Sequence, residues 1–210
     1  MKALSGLYLV TPGASIPLAT LAGQVATAID AGARLVQYRD KTASPVERHR
    51  RVEALLACCR RAGVPLIVND DVELAAAVGA DGVHLGRDDR DPSWARAHLG
   101  RGALIGVSCY ADLARAHAAA QAGADYLAFG SFFASPTKPG AVRAAPALLG
   151  EARTLRRPLV AIGGITPENG ASLIAAGADM LAVVTGVFAA PDVAAATRAY
   201  TRLFPTEESR

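Results

Sequence analysis

The stretch Ala122-Gly123-Ala124-Asp125-Tyr126-Leu127-Ala128-Phe129 contains the pattern that decides the fold. An Ala-rich segment ends at a glycine, and a short apolar run follows directly. Because glycine tolerates the left-handed conformation that closes a helix, the stretch predicts a helix C-terminus leading into a strand. The phrase recurs at Asp30-Ala31-Gly32-Ala33, Val78-Gly79-Ala80-Asp81 and Ala176-Gly177-Ala178-Asp179, with a variant at Arg61-Ala62-Gly63-Val64-Pro65. The chain is therefore expected to repeat one helix–strand unit.

Eight short apolar runs are distributed along the chain, and none alternates with polar residues. They are Leu7–Val10, Leu35–Tyr38, Leu66–Val68, Val83–Leu85, Leu104–Val107, Tyr126–Phe129, Leu159–Ile162 and Met180–Val184. Continuous apolarity indicates burial on both faces, as in a parallel sheet covered by helices. Eight units of about 26 residues predict a single-domain (β/α)8 TIM barrel over residues 1–210. An open doubly wound sheet is the alternative, but no Gly-x-Gly-x-x-Gly follows the first strand.

Helix starts are marked by capping residues followed by proline. Ser44-Pro45-Val46-Glu47 has the form of a capping box with proline at the first helical position. Asp91-Pro92 and Thr166-Pro167 repeat the arrangement of a cap followed by proline. These signals place helices after apolar runs, as the barrel requires.

Composition excludes several classes of protein. Hydrophobic residues make up 51% of the 210 residues, which excludes an intrinsically disordered chain. The 22 Lys and Arg against 19 Asp and Glu give a net charge of +3, too weak to indicate nucleic-acid binding. Three cysteines do not form a disulfide framework, and no apolar run reaches the length of a membrane span. We expect a cytoplasmic protein that binds neither membranes nor nucleic acid.

Polar residues cluster where the predicted strands end. In a (β/α)8 barrel the carboxyl ends of the strands form the active face. The predicted ends carry Gln37 to Lys41, Asn69 to Asp71, His84 to Asp89, Ser108, Ser135 to Pro139, Gly163 to Thr166 and Thr185-Gly186. Seven polar strand ends meeting at one rim predict a site for small-molecule chemistry.

The charges of these residues suggest two phosphate-bearing ligands. Arg39, Lys41 and Lys138 supply cations for phosphate oxygens. Asp70 and Asp89 are hard oxygen donors of the kind that bind Mg²⁺ together with a substrate phosphate. Backbone N–H groups at Gly163-Gly164 and Val184-Thr185 lie where many barrels hold a second phosphate.

Each of these features also has a structural interpretation. Gln37, Arg39 and Lys41 occupy alternate positions and could form salt bridges at a strand end. Asp71 is expected to cap the next helix, and the acidic residues from Asp88 to Asp91 could form a solvated loop. His84 lies within an apolar run and is expected to be a packed, hydrogen-bonded core residue rather than a catalyst.

Six motifs at successive strand ends match a known family. They are Gln37-x-Arg39-x-Lys41, Asn69-Asp70-Asp71-x-Glu73-Leu74-Ala75, Gly82-Val83-His84-Leu85-Gly86-x-x-Asp89, Gly106-Val107-Ser108, Ser135-x-Thr137-Lys138-Pro139 and Ile162-Gly163-Gly164-Ile165. The chain resembles the thiamine-phosphate synthase (thiamine-phosphate pyrophosphorylase) family over nearly its whole length. Each motif alone is weak, whereas six in order are specific.

The resemblance implies that hydroxymethylpyrimidine diphosphate condenses with hydroxyethylthiazole phosphate to give thiamine phosphate and diphosphate, with Mg²⁺ required. By motif, Arg39, Lys41 and Lys138 would be catalytic, and Asp70 and Asp89 would bind the metal. The pyrimidine diphosphate would contact Gln37, Tyr38, Arg39, Asp40, Lys41, Asn69, Ser108 and Lys138. The thiazole phosphate would contact Ser135, Pro136, Thr137, Gly164, Val184 and Thr185. No residue is assigned as a nucleophile.

Three positions depart from the family pattern: Arg87 replaces a common Gln, Ala134 a frequent Pro, and Thr185-Gly186 a common Ser-Ala. Related barrels supply the alternatives, namely a thiazole tautomerase-like enzyme, a sugar-phosphate epimerase, and a non-catalytic regulator that binds thiamine phosphate. The tautomerases and regulators usually lack the complete diphosphate and metal set that this chain carries, and an epimerase would need acid/base residues facing one carbon. The sequence leaves a homo-oligomer possible.

Overall fold

The computed structural model describes residues 4–13, 16–134 and 143–205. Its strands are β1 Gly6–Val10, β2 Ala33–Tyr38, β3 Leu66–Asn69, β4 Gly82–Leu85, β5 Leu104–Tyr110, β6 Tyr126–Phe129, β7 Leu159–Ile162 and β8 Met180–Val183. Its helices are α1 Leu18–Asp30, α2 Pro45–Ala62, α3 Val72–Val78, α4 Pro92–Leu99, α5 Leu113–Gln121, α6 Ala147–Ala152, α7 Pro167–Ala175, α8 Thr185–Phe188 and α9 Val193–Thr201. A 3₁₀ turn spans Arg153–Leu155.

The eight strands close into a parallel barrel in sequence order, with β1 paired to both β2 and β8. All eight predicted runs are strands, so the barrel prediction is confirmed and the open sheet is excluded. Several strand boundaries differ from the prediction by one to three residues, and the differences in β5 and β8 lie at the carboxyl ends that form the active face. β5 continues through Ser108 to Tyr110, with a register shift against β6 between those residues. β8 ends at Val183, because the chain turns at Val184 to begin α8.

The repeated phrase closes helices and joins neighbouring strands. Gly63 and Gly79 end α2 and α3 in the left-handed conformation, with φ of 65° and 66°. Three aspartates of the phrase have a role that the sequence did not reveal, since the side chain of each accepts a backbone N–H from the start of the preceding strand. The pairs are Asp81 with Leu66, Asp125 with Ile105 and Asp179 with Leu159, at 2.7–2.8 Å. These bonds bind adjacent strands at their amino ends.

The predicted helix starts are confirmed. Ser44 accepts a hydrogen bond from the Glu47 N–H at 3.3 Å and is the N-cap of α2. Asp91 and Thr166 are the N-caps of α4 and α7. Asp71 caps α3 by accepting from the Leu74 N–H at 2.9 Å, as expected. These caps fix where the chain leaves the active face of the barrel.

The core has an outer layer between strands and helices and an inner layer inside the barrel. The inner layer includes Tyr8, Leu35, Ile67 and Tyr126, all at most 1% exposed. A Cβ on Gly106 would enter the Tyr126 ring, so only glycine leaves room for that tyrosine. None of the described helices is long and apolar enough to cross a membrane.

Candidate active site

A cavity of about 1010 Å³ opens at the carboxyl ends of the strands. Its wall includes the ends of β1 to β5, β7 and β8, and the first residues after β6. Ten of the predicted site residues line it: Gln37, Arg39, Lys41, Asn69, Asp70, Asp89, Ser108, Gly164, Val184 and Thr185. Eight strands thus bring residues from distant parts of the sequence to one concave surface.

The segment after β2 divides into two faces. Gln37, Arg39 and Lys41 line the cavity, whereas Tyr38 and Asp40 do not. Successive side chains of a strand point to opposite faces, so positions 38 and 40 turn toward the helix layer. Both are buried, at 2% and 7% exposure. The structure therefore does not bring these two predicted diphosphate ligands to the cavity wall.

Asp40 instead organises the loop that carries Lys41. Its Oδ1 accepts from the backbone N–H groups of Thr42 and Ala43 and from the Thr42 hydroxyl, at 2.9–3.0 Å. Although partial burial opposes ionisation, these hydrogen bonds and the nearby Arg51 lower the pKa of Asp40 below its usual range. The ionised carboxylate thus positions the loop rather than a ligand.

Thr11, which directly follows β1, joins the end of β1 to the end of β2. Its hydroxyl accepts from the Arg39 N–H at 2.9 Å and lies 3.2 Å from the Arg39 carbonyl oxygen. Its own N–H donates to the Gln37 carbonyl at 2.9 Å. The backbone on both sides of position 38 is therefore held at the cavity wall.

The two predicted metal ligands lie close together beside a lysine. The Lys41 ammonium is 3.2 Å from the Asp70 carboxylate. Asp89 Oδ2 accepts the Gly86 N–H at 2.6 Å. Partial burial raises the pKa of Asp89, and the neighbouring Asp70 carboxyl raises it further, while the Gly86 N–H and Lys41 act in the opposite direction. Asp70 also has a left-handed backbone, with φ of 64°, and its N–H donates to the His84 carbonyl at 2.9 Å.

Five polar side chains, of which all but the partly exposed Ser108 are buried, form a hydrogen-bonded row across the barrel, which we call the tyrosine–histidine chain. It runs from Gln37 through Tyr8, Tyr126 and His84 to Ser108. The successive separations are 2.6, 2.8, 3.0 and 2.9 Å. Burial lowers the pKa of His84 to about 4, although Asp70 opposes this shift. His84 is thus a buried, hydrogen-bonded residue, as expected, yet it also lines the cavity.

The opposite side of the cavity is formed by the ends of β7 and β8. Gly164 has φ of 65°, and a Cβ there would run into the backbone of Phe133 and Ala134. The Phe133 N–H donates to the Gly163 carbonyl at 3.0 Å, so the two loops pack closely. Thr185 begins α8 at the cavity wall, where the first N–H groups of a helix have no intrahelical partner. Within the described part of the chain, this side presents main chain rather than cations.

Arginines surround the ends of β4 and β5. The Arg87 guanidinium lies 4.8 Å from the centre of the Tyr110 ring, at the cavity edge. Arg115 donates to the carbonyl oxygens of Ser108 and Gly86, each at 2.7 Å. Arg115 therefore joins the two strand ends that carry Ser108 and Asp89.

The remaining predicted ligands, Ser135, Pro136, Thr137 and Lys138, lie outside the described residues. Sequence reasoning missed Tyr8, Thr11, Tyr110 and Tyr126, all of which either line the cavity or bond to residues that do. Tyrosines within strands give the same pattern as core aromatics, so only the positions of their hydroxyls distinguish them.

No group of three or more His, Cys, Asp or Glu side chains suited to hold a metal occurs within residues 4–13, 16–134 and 143–205. Asp70 and Asp89 are thus a pair, not a complete cage.

Comparisons with known proteins point to one family. The model of the thiamine monophosphate synthase family matches residues 7–187. A thiamine-phosphate synthase from Azoarcus sp. (strain BH72) is 56% identical over 202 residues, covering 96% of this chain and 98% of that protein. One from Nitrosococcus oceani is 50% identical over 206 residues, covering 98% and 95%.

A solved structure supports the same assignment. The thiamine phosphate pyrophosphorylase from Pyrococcus furiosus superposes with a TM-score of 0.85 at 32% identity, covering 94% of each chain. Sequence and structure thus agree over nearly the whole length. The chain belongs to the thiamine monophosphate synthase family.

Proposed function

We propose that this chain is a transferase that joins hydroxymethylpyrimidine diphosphate to hydroxyethylthiazole phosphate, giving thiamine phosphate and diphosphate. The observation that carries the proposal is the division of one cavity into a side with cations and carboxylates and a side with exposed main chain. Its volume of about 1010 Å³ accommodates two small ligands side by side. Family membership supports the same reaction.

The charged side of the cavity suits the pyrimidine diphosphate. Arg39 and Lys41 supply positive charge at the end of β2, and Asn69 and Ser108 add polar groups from β3 and β5. Cations beside hydrogen-bond donors match the oxygens of a diphosphate. Lys138, outside the described residues, is proposed as a third cation.

Asp70 and Asp89 are proposed to hold Mg²⁺ together with the diphosphate. The fit rests on two neighbouring hard oxygen donors, and the Asp70 carboxyl adds to the burial that raises the pKa of Asp89, a conflict that a divalent cation removes. When bound there, Mg²⁺ neutralises negative charge on the leaving diphosphate. Lys41, paired with Asp70 at 3.2 Å, is proposed to contact the same phosphate oxygens.

The main-chain side is proposed to bind the thiazole phosphate. Gly164, Val184 and Thr185 line it, and Ser135, Pro136 and Thr137 are proposed to complete it. N–H groups at a helix start and at glycine bind phosphate without a neutralising side chain. The two phosphates are thereby kept apart, so that the carbon bearing diphosphate faces the thiazole nitrogen.

The reaction needs charge stabilisation more than a base. The bond between the pyrimidine methylene carbon and the diphosphate oxygen breaks, and the electron pair leaves with diphosphate. The aminopyrimidine stabilises the resulting cation, and the thiazole nitrogen lone pair then forms the new C–N bond. That nitrogen has no proton to lose, which explains why a base is not needed. Arg39, Lys41 and Lys138 stabilise the leaving charge, and the barrel orients both reactants.

The test is to incubate both substrates and Mg²⁺ with the protein and to follow thiamine phosphate and diphosphate together. We expect equal amounts of both products, with none when either substrate is left out. A non-catalytic regulator would bind thiamine phosphate and release no diphosphate, and that result would refute the proposal.

A further inference from the structure

We propose that the tyrosine–histidine chain is a one-way hydrogen-bond relay that turns the Ser108 hydroxyl proton toward the bound pyrimidine substrate. Tyr8, Tyr126 and His84 are then positioning residues. The inference rests on the proposed function for the identity of that substrate. The direction of the relay follows from the amide orientation of Gln37 and from the number of protons along the row.

The direction is set at the Gln37 end. Gln37 Nε2 donates to Tyr8 Oη at 2.6 Å. The single proton of Tyr8 must then be donated elsewhere, and Tyr126 Oη at 2.8 Å is its acceptor. Each hydroxyl has one proton, so a hydroxyl that accepts from the member before it donates to the member after it.

Counting donors and acceptors in the same way determines which ring nitrogen of His84 carries the proton. Tyr126 accepts from Tyr8, and its own proton has one acceptor among the described residues, His84 Nδ1 at 3.0 Å. Nδ1 is therefore unprotonated, and the proton of a neutral ring lies on Nε2. A doubly protonated ring would leave the Tyr126 proton without an acceptor.

The consequence appears at Ser108. His84 Nε2–H donates to Ser108 Oγ at 2.9 Å, so the serine oxygen accepts and its proton is left for a ligand. Ser108 lines the cavity, and its backbone is held by Arg115. Without the relay the hydroxyl could instead donate to His84, and a ligand would meet a lone pair rather than a proton.

Packing keeps the relay in place. The His84 and Tyr126 rings stack at 5.6 Å with 25° between their planes, and Tyr8 meets Tyr126 edge-on at 5.9 Å. Tyr8 and Tyr126 are at most 1% exposed, and His84 is 8% exposed. Water therefore does not compete for these hydroxyls, and the direction set at one end is transmitted to the other.

The first test reads the His84 tautomer in the ligand-free protein by ¹⁵N NMR. His84→Gln assigns its signals among those of His49, His98 and His117. We expect the Nε2–H tautomer in the wild type and a mixture of tautomers in Tyr8→Phe, because without the Tyr8 hydroxyl Tyr126 can either donate to Nδ1 or accept from it. A wild-type Nδ1–H tautomer would mean that the relay runs in reverse and would overturn the proposal.

The second test uses Tyr126→Phe, which keeps the ring and removes the central hydroxyl. We expect a mixture of tautomers and about tenfold weaker binding of hydroxymethylpyrimidine diphosphate, with thiazole phosphate affinity unchanged. Tyr200→Phe is the matched control, since it removes a buried tyrosine hydroxyl bonded to the Ile165 carbonyl at 3.0 Å, outside the relay. It should leave the His84 tautomer unchanged.

The tautomer measurement needs no substrate, so it separates this inference from the proposed function. A wild-type Nε2–H tautomer without thiamine phosphate formation would refute the function and leave the relay standing. Wild-type tautomer and binding in Tyr126→Phe would refute the relay. If Tyr126→Phe does not fold, the wild type and Tyr8→Phe still decide the direction.

Discussion

Replacing Asp89 with Asn tests the metal assignment and separates catalysis from folding. The substitution keeps the shape of the side chain and removes one of two neighbouring negative charges. Asp89 accepts the Gly86 N–H at 2.6 Å, and an Asn oxygen can accept the same bond. The loop after β4 should therefore keep its conformation.

The expected change in stability is small because two effects oppose each other. A hydrogen bond to a charged group contributes about 1.5–3 kcal/mol and a neutral one about 0.5–1.5 kcal/mol, so roughly 1 kcal/mol is lost. Removing the repulsion between the partly exposed Asp89 and Asp70 stabilises the folded state by roughly 1 kcal/mol. The free energy of unfolding should stay within about 1 kcal/mol of the wild type.

Turnover should respond very differently. Loss of one metal ligand is expected to lower kcat/KM by about ten- to a hundredfold at moderate Mg²⁺, with partial rescue at high Mg²⁺. The assay follows diphosphate release across a Mg²⁺ titration for the wild type and for Asp89→Asn. Asp88→Asn is the matched control, because it removes the same charge from the adjacent, exposed position.

Two results would refute the reasoning. One is an Asp89→Asn enzyme with the Mg²⁺ dependence of the wild type. The other is full wild-type activity in excess chelator. Either would leave the acidic residues from Asp88 to Asp91 as a solvated loop.

Three further predictions follow from the same contacts. Lys41→Ala should weaken hydroxymethylpyrimidine diphosphate binding by about ten- to a hundredfold by calorimetry, and equal weakening of thiazole phosphate would mean that Lys41 is structural. Gly164→Ala should lower stability by about 1–3 kcal/mol in denaturant unfolding and weaken thiazole phosphate binding, because its Cβ meets the Phe133–Ala134 backbone; wild-type values for both would contradict the close packing. Because the folded-state pKa of His84 is lowered to about 4, the unfolded chain binds more protons between about pH 4 and 6.5, and the free energy of unfolding should rise with pH there by up to about 1.4 kcal/mol per unit. His84→Gln should flatten this rise, and an unchanged slope would contradict the burial of a neutral ring.

The barrel could be predicted from the sequence because its signals are local. Each Gly-containing phrase closes a helix, and each apolar run is long enough for one short strand. The end of β5 was missed because Ser108 interrupts the apolar run, although the strand continues to Tyr110. A polar residue that faces a cavity from inside a strand is easily taken for the strand's end.

Part of the site could also be predicted, and one signal, the alternation of Gln37, Arg39 and Lys41, was used only for the salt-bridge interpretation. Alternation along a strand separates Gln37, Arg39 and Lys41 from Tyr38 and Asp40, and it assigns the latter pair to the other face. The motif resemblance grouped all five together. The physical pattern was more selective than the motif at this position.

The tyrosine–histidine chain could not be predicted from local sequence. Tyr8 and Tyr126 lie 118 residues apart, and their hydroxyls meet only because β1 and β6 face each other across the closed barrel. The sequences of β1 and β6 are apolar runs like those of the other strands. Contacts of this kind depend on how all eight strands are aligned around the barrel, and no short stretch of sequence determines that alignment.

A diffraction measurement on crystals holding an unreactive hydroxymethylpyrimidine diphosphate analogue, thiazole phosphate and Mn²⁺ in place of Mg²⁺ tests the central claim most directly. We predict an anomalous peak between Asp70 and Asp89, the diphosphate beside Arg39 and Lys41, and the thiazole phosphate separately at Gly164 and Thr185. A metal bound elsewhere, or both phosphates on the same side of the cavity, would contradict the account.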